Sequence, residues 1–502
     1  MKTPCLVWLA LAFAATRVWS ADPSRPNIIL ILVDDMPWYG TDVRMDPGLP
    51  GSAMAFRRMP KVEALAAQGM TFQHAYSGAG MCAPSRCSLQ TGMTTAHHLY
   101  SGNGGFGATT ANDNGVVKYM DRREDLKRPL LCPEPQGNIR FPSIGDVLKA
   151  GGYATAHFGK WHLYGGGPAK HGYDFSDGET DNKTFIPAID PRTRKKTDTV
   201  ADPKMMFSIT ERGVHFMESA VQAHQPFYLQ LSHYATHAAY QCRPETLAKV
   251  EKDPVFQKAK NLRPRELHEA QVCAAMCEDL DDAIGRVLKK VDELGIASNT
   301  YVVFNSDNGY KAWNEGYDPL RGGKWWEWEG GICVPMIVRG PSVPAGTRCD
   351  VNVVNYDFLP TFADLAGATG HLSKAVDGAS FKPLLFGQPV SDGCVNRPLF
   401  FHYPHYRVSP PASAIILGQW KLLHYYEWPD EEFLYNLTTD LGEKHNLAVQ
   451  QPERAAAMWT QLQNHIKSVG GCFPKPNPNA DPHAIRYDPN NIEDQGDESI
   501  GD

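Results

Sequence analysis

The sequence has few of the features that mark membrane proteins, nucleic-acid-binding proteins or disulfide scaffolds. Beyond its first twenty residues it has no apolar run long enough to span a bilayer, so stable membrane insertion is not expected. It has no Lys/Arg-rich run and its formal net charge is -7, which argues against a nucleic-acid partner. Its 11 cysteines show no dense, regular spacing, which argues against a disulfide scaffold. Its 42% hydrophobic and 21% charged residues are typical of a folded soluble protein.

The first twenty residues are the exception to this lack of apolar runs. Lys2 gives a positive start, residues 6–15 are apolar, and Val18 and Ser20 occupy the small-residue positions of a cleavage site. This pattern predicts a cleaved signal peptide over residues 1–20. The mature protein is therefore expected in the periplasm or outside the cell, and a bacterial exported enzyme is favoured. An N-terminal membrane anchor is the alternative interpretation.

Apolar runs that suit buried strands alternate with amphipathic segments that suit helices, and this order predicts an α/β fold. A large central, mainly parallel (mixed) sheet is expected, flanked by helices. A smaller C-terminal α+β subdomain on an antiparallel sheet is expected to follow. The predicted strands of the large sheet are 27–33, 153–158, 227–232, 301–305 and 334–338, and the predicted helices are 61–68, 143–150 and 278–294. The predicted units are the catalytic domain 21–377, the subdomain 378–475 and a tail 476–502.

Polar side chains follow four of the predicted strands, at the point where each strand ends. These candidate site residues are Asp34, Asp35, Lys160, His162, His237, Asp307 and Asn308. Because ligands bind at the carboxyl ends of strands in open α/β sheets, we expect these side chains to converge. The carboxylate and amide oxygens suit Ca²⁺ or Mg²⁺ rather than zinc. Taken singly, each aspartate could equally be a helix N-cap or a turn residue.

The segment 82–92 carries the most specific pattern in the chain. Pro84 can open a helix that Gly92 ends, which places Cys82 at a helix N-terminus, where anions are favoured. Arg86 lies one turn further on and can offer a bidentate fork to an oxyanion. These residues predict an activated thiol beside an anion and a metal, and an ordinary thiolate nucleophile stays open.

At these residues the chain resembles the type I, formylglycine-dependent sulfatases, which are arylsulfatase-like members of the alkaline phosphatase superfamily. The signature Cys-x-Pro-Ser-Arg followed by Thr-Gly is matched by Cys82, Pro84, Ser85, Arg86, Thr91 and Gly92. Gln90 departs from the leucine often found before Thr-Gly. The resemblance extends over nearly the whole mature chain, through segments 25–35, 159–162, 227–237, 306–309, 320–324, 433–437 and 443–447.

The resemblance implies an alkaline-phosphatase-like fold and a specific site. A maturation enzyme would convert Cys82 into Cα-formylglycine, whose hydrated form attacks sulfur. One Ca²⁺ would be held by Asp34, Asp35, Asp307, Asn308 and the modified Cys82. The sulfate would be surrounded by the catalytic residues Arg86, Lys160, His162, His237 and Lys324. His237, with Lys324 nearby, would protonate the leaving alcohol, and His162 would assist the release of sulfate.

The expected substrate is a sulfated carbohydrate, either a glycosaminoglycan, a mucin-type glycan or an algal polysaccharide fragment. Many family members have small residues after Gly-Gly-Lys, but here Lys324 is followed by three tryptophans within four residues. One or two of them could stack on a sugar ring, or all could pack beneath the site. The candidate substrate contacts are Trp313, Trp326 and His405.

Three other functions stay open at this point. A phosphomonoester or phosphonate hydrolase of the same superfamily would release phosphate instead of sulfate. A catalytically inactive carbohydrate-binding protein would keep its function without Cys82. A plain cysteine hydrolase would be fully active with an unmodified Cys82.

Overall fold

The structure is a computed structural model, and it describes residues 25–102, 127–182, 200–258, 262–310, 319–388, 395–481 and 483. The predicted signal peptide and most of the predicted tail lie outside these residues. Among the helices of the described part, none has the length and apolar character needed to cross a membrane.

Strands build two main sheets in the described part of the chain. They are β1 Asn27–Val33, β2 Met70–Phe72, β3 Ala75–Tyr76, β4 Leu130–Leu131, β5 Ala154–Gly159, β6 Phe175–Ser176, β7 Phe227–Ser232, β8 Thr300–Ser306, β9 Met336–Arg339, β10 Thr347–Cys349, β11 Val353–Val354, β12 Leu399–Tyr403, β13 Ala412–Leu417, β14 Trp420–Tyr425, β15 Glu432–Asn436 and β16 Lys475–Pro476. The large sheet has eight strands in the order β10-β2-β9-β8-β1-β7-β5-β6.

The large sheet is mainly parallel, as predicted. β1 lies at its centre and pairs in parallel with β7 and β8, whereas β9 runs antiparallel to β8 and β2. Ile29 and Ile31 of β1 pack into one apolar core, and Ile28 and Leu30 pack into the other. Because β1 is buried on both faces, its sequence is a continuous apolar run rather than an alternating one.

Helices cover both faces of this sheet, except for the last one, which packs on the C-terminal sheet instead. They are α1 Pro60–Ala67, α2 Cys82–Thr91, α3 Thr95–His98, α4 Ile144–Ala150, α5 Met206–Gln222, α6 Pro244–Val250, α7 Pro254–Lys258, α8 Pro264–Glu293, α9 Glu329–Ile332, α10 Phe358–Leu365, α11 Lys382–Leu385 and α12 Pro452–Ser468. The predicted helix 278–294 is wrong at its start, since α8 begins at Pro264. Pro264 occupies the first helical turn and Glu266 accepts the Arg263 N–H, which together fix the earlier start.

The C-terminal antiparallel sheet is also present as predicted. β12 to β15 pair in sequence order, and Gly418, in the left-handed conformation at φ 57°, forms the tight turn between β13 and β14. α12 covers one face of this sheet, where Leu462 and Ile466 pack on Ile415 and Leu422. The other face packs on the main core. The exact boundaries of the predicted units stay predictions.

Candidate active site

The register of the central strands brings their carboxyl ends to one edge of the sheet. Val33, the last residue of β1, pairs with Ser306 of β8, and Ser232 of β7 pairs with both Leu32 and Gly159. The residues that follow these ends are predicted site residues, and the structure places them together. The Asp307 N–H donates to the Val33 carbonyl at 3.0 Å, which extends the pairing of the two strands into the site.

Cys82 is the first residue of α2 and lies at the centre of this edge. Met81 before it is extended, and Gly92 ends the helix in the left-handed conformation at φ 69°. The Cys82 Sγ lies 3.7 Å from Asp35 Oδ1 and is fully buried. Burial raises the pKa of the Cys82 thiol well above its usual value, although Lys160 and Lys324 act in the opposite direction. The site therefore does not stabilise the thiolate that a plain cysteine hydrolase requires.

Two buried lysines neutralise the two aspartates that follow β1. The Lys160 ammonium donates to both carboxylate oxygens of Asp34, at 2.9 and 2.7 Å. The Lys324 ammonium donates to Asp35 Oδ2 at 2.9 Å. Lys160 is completely buried and Lys324 is 4% exposed, so both ion pairs are shielded from solvent.

Arg86 joins the helix α2 to the end of β8. Its Nε donates to Asp307 Oδ2 at 2.8 Å, and its Nη2 lies 2.8 Å from the same oxygen. Its Nη1 donates to the Lys160 carbonyl at 2.6 Å. The guanidinium is thus a planar, buried bridge between three of the elements that build the site.

The carboxylates differ in their tendency to ionise. Burial raises the pKa of Asp307 to about 7, despite the nearby Arg86 guanidinium. Burial would also raise the pKa of Asp34, but the adjacent Lys160, His237 and Arg86 cations lower it well below its usual value. The site therefore holds Asp34 in its charged form, whereas burial of Asp307 favours its protonated form.

The two histidines occupy different positions in the site. The His237 Nε2 lies 3.1 Å from the Lys324 ammonium and 3.5 Å from Asp35 Oδ2. His162 has φ 57°, and its Nδ1 is buried and has no hydrogen-bond partner. Burial, with the neighbouring Lys160 and Arg86 cations, lowers the pKa of His162 well below its usual value. Burial and the neighbouring cations therefore favour the neutral form of the His162 ring.

The donor set fits a hard divalent cation. Ligand atoms of Asp34, Cys82 and Asp307 lie within 4.8 Å of one another, and the Cys82 sulfur marks the place of the oxygen that formylglycine would offer. Asn308 Oδ1 is buried without a hydrogen-bond partner, while its Nδ2 donates to Asp35 Oδ1 at 2.8 Å. An orphaned oxygen beside three carboxylates suits Ca²⁺, which prefers oxygen ligands.

The structure describes two of the three predicted sugar contacts, and both of these side chains are buried. Trp326 is 5% exposed and packs in the hydrophobic core, so a sugar ring cannot stack on it in this conformation. His405 is buried and bonds Ser101 Oγ through its Nε2 at 2.5 Å. Trp313 lies outside the described residues. The half-buried Trp325 has its ring centre 5.2 Å from the Lys324 ammonium, and its place directly after Lys324 was the available signal.

The chain is similar to known sulfatases over most of its length. Residues 26–368 match the Sulfatase family, and residues 323–470 match the family described as N-sulphoglucosamine sulphohydrolase, C-terminal. A protein called Sulfatase from Formosa agariphila is 28% identical, with 86% of this chain and 86% of that protein covered. The N-acetylgalactosamine-6-sulfatase of Canis lupus familiaris is 28% identical, with 85% of this chain and 77% of that protein covered.

A solved structure shows the same fold. The PsFucS1 sulfatase from Pseudoalteromonas sp. superposes with a TM-score of 0.64 at 21% identity, covering 89% of this chain and 91% of that one. The match to the Sulfatase family spans well over half of the chain and contains every element that builds the site. The protein therefore belongs to the Sulfatase family of the alkaline phosphatase superfamily, and it is a hydrolase of sulfuric ester bonds.

Proposed function

We propose that this sulfatase removes sulfate from a sulfated carbohydrate outside the cytoplasm, with one Ca²⁺ and a Cα-formylglycine made from Cys82 by a maturation enzyme. The observation that carries the proposal is the position of Cys82. Its side chain starts a helix and is enclosed by three carboxylates and three cations. The N-terminal segment 1–20, read as a signal peptide, supports export.

The three carboxylates of the site can hold a dication. Asp34, Asp35 and Asp307 carry three negative charges when ionised, and Arg86, Lys160 and Lys324 carry three positive ones. When bound, Ca²⁺ neutralises the sulfate oxygens and the formylglycine diol supplies the nucleophilic oxygen. With the carboxylates neutralised by the dication, Arg86 and Lys160 are available to the sulfate oxygens. Fixed cations in a buried site stabilise the charge that builds up in the transition state.

The proposed proton transfers involve His162, His237 and Lys324. His237 and Lys324 lie 3.1 Å apart, so a proton on either one can be delivered to the leaving alcohol oxygen. The Nδ1 of His162 is buried without a hydrogen-bond partner, and it is the atom that would assist proton transfer during sulfate release. The proposed donor and acceptor thus lie in different loops at this edge of the sheet.

A carbohydrate substrate is supported by two observations. The relatives include N-acetylgalactosamine-6-sulfatases, whose name specifies a sulfated sugar as the substrate. The half-buried Trp325 stands beside Lys324, where an aromatic ring can pack on a sugar. A glycosaminoglycan, mucin-type glycan or algal polysaccharide fragment therefore stays the proposed substrate class.

The proposal is tested by a panel of sulfated saccharides and phosphate esters. Protein co-expressed with a maturation enzyme is expected to release sulfate from at least one saccharide and to prefer sulfate over phosphate by about tenfold or more in kcat/KM. Ion chromatography measures both anions in one run. Release of phosphate alone would move the protein to the phosphomonoesterase alternative.

Removal of the divalent cation is expected to lower the melting temperature. A ligand at about 100 times its Kd stabilises the folded state by about 2.7 kcal/mol, and this contribution is lost on chelation. Thermal unfolding is measured after EDTA treatment and again after addition of Ca²⁺. In Asn308→Ala the Ca²⁺-dependent shift should shrink, whereas in Asn446→Ala, an exposed control in the loop after β15, it should not change. An equal shift in both variants contradicts the assignment of Asn308.

A further inference from the structure

Lys160 and His162 lie directly after Gly159, the last residue of β5. We call residues 159–162 the site loop. Gly159 has φ 93°, and a Cβ there would overlap the carbonyl oxygen of Ser232, so only glycine allows this close approach. His162, at the other end of the loop, has φ 57°, a conformation that is costly for a residue with a side chain. The loop therefore needs contacts from outside to keep its shape.

All four backbone N–H groups of the site loop donate hydrogen bonds. The Lys160 N–H donates to the Ser232 carbonyl of β7 at 2.8 Å. The other three N–H groups donate to one neighbouring segment, residues 177–180, which we call the clamp. These bonds run from Gly159 to Asp177 Oδ2 at 2.8 Å, from Trp161 to Thr180 Oγ1 at 2.8 Å and from His162 to the Thr180 carbonyl at 2.7 Å.

Thr180 makes most of the contacts between the clamp and the site loop. Its side chain is buried, and its hydroxyl accepts the Trp161 N–H while it donates to the Gly159 carbonyl at 2.6 Å. Gly159 and Trp161 are buried as well. Loss of the hydroxyl would therefore leave a buried donor and a buried acceptor of the loop without their partner, which is costly.

The clamp is itself held from two sides. Asp177 Oδ2, which accepts the Gly159 N–H, also pairs with the Arg212 guanidinium of α5 at 2.9 Å. The two residues before the clamp form β6, which pairs in parallel with Ala156 and His157 of β5. The clamp is thus fixed to the sheet and to a helix, so it can impose its position on the site loop.

We propose that Thr180 and Asp177 are positioning residues, which hold the site loop so that Lys160 and His162 reach the sulfate. The Lys160 ammonium lies 2.7 Å from Asp34 Oδ2, so a shift of the loop moves this cation within the site. The inference rests on the proposed function, in which Lys160 binds the sulfate oxygens and His162 assists sulfate release.

This role predicts an effect on sulfate binding that a loss of folded protein does not produce. A variant that is merely less stable has fewer active molecules, which lowers the apparent kcat but leaves the inhibition constant of inorganic sulfate unchanged. Inorganic sulfate is the product and inhibits by occupying the same site. When Lys160 is displaced, the site binds sulfate more weakly, so this inhibition constant rises.

The experiment compares Thr180→Val with Thr180→Ser. Valine has nearly the shape of threonine but cannot bond the loop, whereas serine keeps the hydroxyl. For Thr180→Val we expect kcat on the saccharide desulfated by wild-type protein to fall about tenfold, and the inhibition constant of inorganic sulfate to rise about fivefold. Thr180→Ser should recover most of both losses. Binding is also measured without turnover, as the rise in melting temperature that inorganic sulfate causes in Ca²⁺-loaded protein.

The matched control is Thr155→Val, near the other end of β5. Thr155 is completely buried, and its hydroxyl donates to the Gly172 carbonyl at 2.7 Å and accepts the Asp174 N–H at 3.1 Å. This variant should lose stability without a change in the inhibition constant of sulfate. An unchanged constant in Thr180→Val, or an equal rise in Thr155→Val, overturns the inference. If Thr180→Val does not fold, Asp177→Ala should raise the same constant, and no rise there overturns the inference.

Failure of the proposed function gives a different result, since wild-type protein would then release no sulfate and would not be stabilised by inorganic sulfate. In that event a crystal structure of Thr180→Val, or of Asp177→Ala in its place, still decides the inference. We expect the Lys160 ammonium to leave hydrogen-bond distance of Asp34 in this variant. An unchanged Lys160 position overturns the positioning role whatever the activity.

Discussion

Replacement of Cys82 by alanine is expected to lower kcat/KM for sulfate release by about 10⁴-fold or more, the scale seen when a covalent nucleophile is removed. The side chain lies 3.7 Å from Asp35 Oδ1, in the centre of the charged groups, so the variant has no atom there from which to attack sulfur. The cations that bind sulfate are still in place. Release of inorganic sulfate, measured at saccharide concentrations well below KM, gives the loss.

Cys87 offers a matched control on the same helix. It is completely buried and a free thiol, and its own contact is with Thr91 rather than with the carboxylates. Cys87→Ala should keep nearly full activity. Mass spectrometry of the peptide that contains residue 82 should show the oxidised residue in active wild-type protein. A fully active protein with an unmodified Cys82 would instead support the plain cysteine hydrolase, even though burial raises the pKa of this thiol.

The sequence was most informative where burial leaves little choice of residue. β1 and β7 were predicted with their observed bounds, and β1 shows why, because a strand buried on both faces favours an unbroken apolar run. The polar residues directly after these runs are then the first that can face a ligand. The convergence of Asp34, Lys160 and Asp307 followed from this argument together with the parallel order of the strands.

The sequence was less informative where packing overrides local preference. No prediction covered α5, whose middle contains Gly213, a residue that lowers helix propensity. The structure explains this glycine, since a Cβ at position 213 would lie only 2.8 Å from the Leu231 side chain of β7. In the same way, the hydrogen bond from the Trp325 N–H to the Gly80 carbonyl joins residues far apart in sequence, and no local pattern could indicate it.

Replacement of Arg86 by alanine is expected to have two large effects at once. Its guanidinium pairs with Asp307 at 2.8 Å and lies 3.5 Å from Asp34, and all three side chains are buried. Removing one partner of a buried pair costs about 3–5 kcal/mol in the free energy of unfolding. Loss of a cation that stabilises transition-state charge costs about 10²–10³-fold in kcat. Urea unfolding and sulfate release measure the two effects separately.

Arg86→Lys separates the charge of this residue from its shape. A lysine keeps the positive charge between the carboxylates, so we expect it to recover much of the stability. It cannot reproduce the planar fork that reaches both Asp307 and the Lys160 carbonyl, so kcat should stay low. Full activity in Arg86→Lys would contradict this role for the fork.

Arg397 is the control for the stability effect. It forms a comparable ion pair with the buried Asp357 at 2.5 Å, outside the site. Arg397→Ala should lower the free energy of unfolding without lowering kcat at temperatures where the protein stays folded. If kcat falls equally in both arginine variants, the loss at Arg86 reflects a damaged fold. If it falls only at Arg86, the same guanidinium that holds α2 against β8 also serves the reaction.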